Sequence, residues 1–251
     1  MTTVAVLADP PREGLVLPDI VDQTPLSAAE ATELYVAMYR DVCRAVEASG
    51  GDLLVNYRDD EDLPEEHAGE ESAEAQLRAA LTPALSDPDA ARYEVQVGSS
   101  FSARAGNTVT HLLDREDVTS AAVVEPTAPF LARGIVDSAA MKLRRHEVVL
   151  GPAGDGRVYY AGFGDSIDFA DAYEPPAVET LTDRGVAADH GVDFLQMTPV
   201  VETRDDLVTA LSLLSARVAA GRNHPEYTAA CLADLGLDLK AGADGAELVK
   251  E

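Results

Sequence analysis

Lysine is nearly missing from this 251-residue chain. Only Lys142, Lys240 and Lys250 occur among 19 basic residues, against 45 acidic ones, for a formal net charge of −26. A polyphosphate backbone or an anionic membrane surface would repel such a chain, so neither nucleic acid nor membrane is expected as a partner. Long apolar runs are missing too. None approaches the ~20 residues that a membrane span needs. The opening Met1-Thr2-Thr3-Val4 has neither the basic stretch nor the apolar segment of a secretory leader, so a cytoplasmic protein is expected. Cysteine is scarce: Cys43 and Cys231 have no CxxC or CxxH spacing, which excludes a cysteine metal site and leaves them as small buried hydrophobes. The five histidines lack metal-ligand spacing as well.

What is present points to a folded chain. The 46% hydrophobic content argues against global disorder. Acid is spread over nearly every segment, including nine carboxylates without a Lys or Arg in residues 59–74. That loop reads as a solvated surface in preference to a cation collector. A carboxylate shell with few lysines suits solubility in molar salt, where the Debye length is ~3 Å, and so fits an extreme halophile.

The apolar pattern alternates short strands with helices. Strands are expected at residues 3–8, 52–57, 93–97, 121–124 and 146–150, with 158–163 returning beside the last and 194–201 as a strand or extended segment. Helices are expected over 28–46, 73–85, 101–113, 130–145, 178–188, 204–220 and 224–235. The first opens on the capping box Ser27-Ala28-Ala29-Glu30 and stops at Gly50-Gly51. The fold class is therefore a three-layer α/β/α architecture with a mixed, mostly parallel sheet of about seven strands. A single domain over residues 1–239 and a frayed tail over 240–251 are expected.

Ligands of open α/β sheets bind outside the carboxyl ends of the strands. Four loops meet that rule, and they supply Asp9, Arg12, Asp59, Glu125, Thr127, Asp155 and Arg157. Several carboxylates facing one crevice would suit a divalent cation bridging a diphosphate. The sharpest local pattern is Gly151-Pro152-Ala153-Gly154-Asp155-Gly156-Arg157, followed by Val158-Tyr159-Tyr160. Its glycines allow close backbone approach to a ligand while Asp155 takes a metal or a sugar hydroxyl. A turn with Asp155 bonded to local N–H groups is the equal alternative.

This segment resembles the Gly-Pro-Ala-x-Asp-Gly-Gly-Tyr-Tyr motif of the selenodomain-associated transferase family. Further landmarks fall in order: Ala8-Asp9-Pro10-Pro11 with Gly14, the helix around Ala28 to Asp41, and Gln96, Gly98 and Arg104. Glu125-Pro126-Thr127-Ala128-Pro129 and Thr203-Arg204-Asp205-Asp206-Leu207 complete the set. The chain is more distantly similar to phospholactate guanylyltransferase. The resemblance, over roughly residues 3–215, implies a glycosyltransferase-A-like nucleotide-diphospho-sugar transferase fold. It also implies transfer of a glycosyl or nucleotidyl group from a nucleotide-activated donor, assisted by Mg²⁺ or Mn²⁺. Asp155, Glu125 and Thr127 are the implied metal residues, with Asp155 catalytic. Arg12, Gly14, Gly151, Gly156 and Arg157 are implied for the nucleotide, with Arg58 a further phosphate contact. The chain departs from the family at three places. Leu17 and Asp19 stand where it carries a Lys and an Arg, Thr127 where it carries the metal Asp, and Arg157 where it carries a Gly. A non-catalytic relative that serves as a binding or partner-interaction module is therefore the alternative.

Overall fold

The first apolar run is buried at every position because both faces of its strand are covered. In β1 (Thr2–Ala8), Val4, Val6 and Ala8 face one helical layer while Ala5 and Leu7 face the other. The computed structural model describes residues 2–242 and 245–250. Within it, β1 lies at the centre of a seven-stranded sheet with β2 (Asp52–Tyr57), β3 (Arg92–Val95), β4 (Ser120–Val124), β5 (Val148–Pro152), β6 (Val158–Phe163) and β7 (Val192–Phe194). The order is β3-β2-β1-β4-β6-β5-β7. All neighbours run parallel except β6, which is antiparallel to both β4 and β5.

Helices cover both faces. On one lie α2 (Ala28–Glu47), α3 (Ala73–Leu81) and α5 (Arg133–Lys142), through Tyr39, Val42, Leu77, Leu81 and Val136. On the other lie α4 (Phe101–Arg115) and α6 (Ala177–Ala187), through Ala105, Val109, Leu112 and Leu181. The capping box that opens α2 is complete: the Ser27 hydroxyl accepts from the Glu30 amide, and the Glu30 carboxylate accepts from the Ser27 amide at 2.9 Å. The back of α2 packs Leu34, Tyr35 and Met38 against α1 (Pro18–Gln23), α7 (Arg204–Ala219) and α8 (Glu226–Asp234). Asp41 joins α2 to α8. Its carboxylate accepts from the Tyr227 and Thr228 amides and the Thr228 hydroxyl.

The structure adds α1, in the proline-rich stretch before Leu26 and held down by buried Ile20, and corrects expectations about other elements. The helix expected from residue 130 starts at Arg133, because Phe130 and Leu131 turn inward as core side chains. The segment expected over 194–201 as a strand or extended segment enters the sheet only at its first residue, the end of β7; beyond it the Leu195 and Thr198 amides still bond the Leu150 and Pro152 carbonyls of β5, and Pro199 has no amide to continue a ladder. The tail expected to fray forms a hairpin, β8 (Leu237–Gly242) with β9 (Gly245–Lys250), and Leu237, Leu239 and Leu248 dock it on the α7–α8 layer. Both cysteines are free thiols, and Cys43 is buried. Among the described residues no helix is long and apolar enough to cross a membrane.

Candidate functional site

Strand order reverses beside β1. The chain lays β2 and β3 on one side and later places β4 on the other, which opens a crevice at the carboxyl ends of β1 and β4. A cavity of about 290 Å³ occupies it. Its polar wall is Asp9 after β1, Gln96 after β3, Arg104 on α4, Glu125 and Thr127 after β4, and Glu202 before α7. Its apolar wall is Leu7, Leu15, Val16, Leu17, Tyr35 and Phe101.

The charges in this cleft are not balanced locally. Asp9 is already neutralised by a bidentate pair with Arg58, at 2.8 and 2.7 Å. Among the described residues Glu125 has no such partner. Burial, then repulsion from Glu202 and Asp9, push its carboxyl up to about 8, although Arg157 and Arg104 pull the other way. Glu202 accepts from the Thr127 hydroxyl at 3.0 Å and from Arg157 at 2.8 Å. Arg104 is the counterpart of Glu125. Its Nε is buried with no hydrogen-bond partner, and desolvation, together with Arg58, lowers its affinity for the proton. The Tyr173 hydroxyl is likewise buried and unpartnered; burial and then the Glu125 charge resist its ionisation. The cleft thus presents two crowded carboxylates and a guanidinium that, among the described residues, has no carboxylate partner. Glu125 and Glu202, with the Thr127 hydroxyl, are hard oxygen donors of the kind that Mg²⁺ or Mn²⁺ takes. A dication would relieve the repulsion that raises Glu125.

The residues expected from sequence divide. Asp9, Glu125 and Thr127 meet in the cleft. Asp155 does not: it sits at the tip of a 3-10 turn with φ +57°, its side chain is 89% exposed, and it does not line the cavity. The convergence of Asp155 with Asp9 and Glu125 therefore fails at Asp155. Gly156 serves that turn with φ +71°. Gly151 serves packing, since a Cβ there would lie 2.6 Å from the Tyr159 ring. Gly14 turns the chain at φ +76° just before the apolar wall but does not line the cavity.

All three arginines expected at phosphate are committed to carboxylates. Arg157 donates twice to Asp206, at 2.9 and 2.6 Å, once to Glu202 and once to the Gly154 carbonyl. It is a strut between the Gly151–Arg157 turn and the start of α7. Arg12 is only 8% exposed and threads under the acidic loop, bonding Asp60, Gln76 and the carbonyls of His67 and Glu71. That loop is a solvated surface stapled by one guanidinium. Arg58, held by Asp9, is also spoken for.

Two cleft residues were not among the candidates from sequence. Glu202 directly precedes Thr203, whose capping box with Asp206 fixes the start of α7 and so fixes Glu202. Arg104 was visible only as a landmark. Among the described residues, the one trio of metal-ligating side chains within 4.8 Å of one another is Glu94, His111 and Glu116. None lines the cleft, and Arg92 bridges both carboxylates.

No protein-family model matches the chain, and no curated protein matches its sequence. Solved structures do. A candidate nucleotide-diphospho-sugar transferase from Desulfovibrio desulfuricans G20 superposes with a TM-score of 0.72 at 20% identity, covering 93% of this chain and 94% of that one. A cytidylyltransferase from Leptospira borgpetersenii superposes at 0.50 with 7% identity and the same coverages. At these identities the likeness is one of fold. The chain has the mixed, mostly parallel architecture of nucleotide-diphospho-sugar transferases.

Proposed function

We propose that this chain is a metal-assisted transferase that takes a glycosyl or nucleotidyl group from a nucleotide-activated donor, as a divergent relative of the selenodomain-associated transferases. The observation that carries this reading is the meeting of Glu125, Glu202 and the unpaired Arg104 in one cleft at the strand-order reversal. Glu125 and Glu202 would hold Mg²⁺ or Mn²⁺, whose chemistry is neutralisation of a leaving diphosphate. Arg104 donates to a phosphate oxygen. The apolar wall from Leu15 to Leu17 receives the uncharged part of the donor. Residues 1–239 act as one domain in this proposal, and the acidic shell serves solubility in a salty cytoplasm.

A second reading is favoured by one feature. Leu17, buried, and Asp19, exposed, stand at the cleft where a phosphate clamp would need cations. On that reading the chain keeps the fold as a binding or partner-interaction module.

Titration with UDP-, GDP- and CDP-sugars and nucleoside triphosphates, with Mn²⁺ in molar KCl, separates the two. Saturable, metal-dependent heat is expected with at least one donor. Arg104→Gln weakens it about tenfold or more, the worth of one charged hydrogen bond, without lowering Tm. Absence of binding by every nucleotide overturns the transferase reading.

A further inference from the structure

A second cavity, of about 160 Å³, lies between α2, α5, α7 and the start of α8. In a chain of net charge −26 its lining is unusual: Arg44, Arg133 and Arg217 with His224, against Asp41 and Glu226. The two acids are not equivalent opponents. Both oxygens of Asp41 are consumed by α8, through the Tyr227 and Thr228 amides and the Thr228 hydroxyl. Glu226 pairs with Arg44 at 2.5 Å, with both side chains about half exposed or more, so solvent screens the pair and an anion can displace it. Arg133 has only an exposed i,i+4 partner, Asp137, at 3.3 Å. Among the described residues Arg217 has no carboxylate partner; it stacks over Phe130 at 5.1 Å and makes one long bond, 3.4 Å, to the Asn223 carbonyl.

The backbone adds to this. Arg133 is the first residue of α5, and the helix N-cap is Ala132, which has no side chain to accept from the first-turn amides. The adjoining α2 and α7 are capped by Ser27 and Thr203, whereas α8, which also opens at the cavity, starts after Pro225 with no side-chain cap. Uncapped first-turn amides and guanidinium groups are complementary to the same thing, an oxyanion. A phosphate group answers both, because its several oxygens can accept from amides and from guanidinium groups at once.

We infer that this cavity binds a phosphate group, as inorganic phosphate or as the phosphate of a small metabolite, independently of the nucleotide cleft. Phe130 and Arg133 lie three and six residues beyond Thr127, so the two sites share one chain segment.

The test is calorimetric titration of inorganic phosphate into the full chain at constant ionic strength balanced with KCl, beside ribose 5-phosphate as the esterified probe. One phosphate per chain is expected. Arg217→Gln and the double change Arg133→Gln with Arg217→Gln weaken it about tenfold or more, at unchanged circular dichroism, while Arg104→Gln leaves it intact. Tighter binding of the ester assigns the site to a metabolite, and tighter binding of inorganic phosphate assigns it to the free ion. The inference is overturned if phosphate does not bind beyond the KCl control. It is also overturned if binding survives in the double variant or disappears in Arg104→Gln. None of these readouts depends on the cleft binding a nucleotide.

Discussion

Arg157→Met is expected to lower stability by about 3 kcal/mol while leaving the fold unchanged. The loss follows from what the guanidinium holds. Asp206 is only 12% exposed and takes two of its N–H groups; Glu202 takes another. Removing one member of a largely buried ion pair leaves the other charge uncompensated, which costs roughly 3–5 kcal/mol when burial is complete. Arg157 itself is 21% exposed, which places the expectation at the lower end. Methionine fills much of the stem, so cavity formation contributes little. Acid should narrow the gap. Burial works to raise Asp206, but hydrogen bonds from Arg157 and Thr203 prevail and hold its carboxyl below the ordinary value of 3.8. A depressed acid contributes stability that is present above its unfolded pKa and lost as pH falls through the folded one. The wild type therefore surrenders that contribution below about pH 4, and the variant, lacking the arginine, has less to surrender. Urea denaturation at pH 7 and pH 3.5 measures both gaps. Equal stability of the two proteins at pH 7 would return Arg157 to the pool of free phosphate donors.

Glu125→Gln should do the reverse. The folded carboxyl titrates at about 8 against an ordinary 4.5, because burial and then Glu202 and Asp9 oppose its charge. Below about pH 4.5 the group is protonated in both folded and unfolded chains and costs nothing. Between the two values the unfolded chain ionises and the folded one does not, so stability falls as pH rises, by at most about 1.4 kcal/mol per unit. Above about pH 8 the whole cost is present. Glu125 is only partly buried, and solvent discounts the full window to about 3 kcal/mol. The variant is accordingly expected to match the wild type at pH 4 and to exceed it by about 3 kcal/mol at pH 8.5, as read by chemical denaturation without divalent metal. A residue whose removal stabilises the free protein is one kept for what it binds. A pH-independent difference would mean that Glu125 is not electrostatically strained.

The fold was legible where hydrophobic periodicity is long and caps are explicit. Ser27 with Glu30 announced α2, and the paired β-branched and apolar runs announced the central strands. Strand order was legible only in part: the return of β6 beside β5 was expected and is present as an antiparallel pair, but no local signal says that β6 enters between β4 and β5. The hairpin β8–β9 was missed because its signal is only Leu237, Leu239 and Leu248 among Gly, Ala and Asp. The site was legible by half. Loops after β1 and β4 are named by the general rule for α/β sheets, and Asp9, Glu125 and Thr127, which that rule points to, line the cleft. It could not tell a free guanidinium from a committed one. Arg12, Arg58, Arg104 and Arg157 look alike as letters; only the carboxylates that the tertiary fold brings to three of them separate donors from struts. The same blindness set Asp155, exposed on its turn, above Glu202, which lies far from the other cleft residues in sequence and beside them in space. The net charge of −26 is likewise two things: a solvated shell over most of the surface, and a small unbalanced group in the cleft.

Mn²⁺ titration followed by electron paramagnetic resonance, in molar KCl to screen surface carboxylates, tests the cleft assignment most directly. One tight Mn²⁺ per chain is predicted, lost in Glu125→Gln and in Glu202→Gln and retained in Asp155→Asn. Loss of that Mn²⁺ in Asp155→Asn, or its retention in both glutamine variants, would contradict the account.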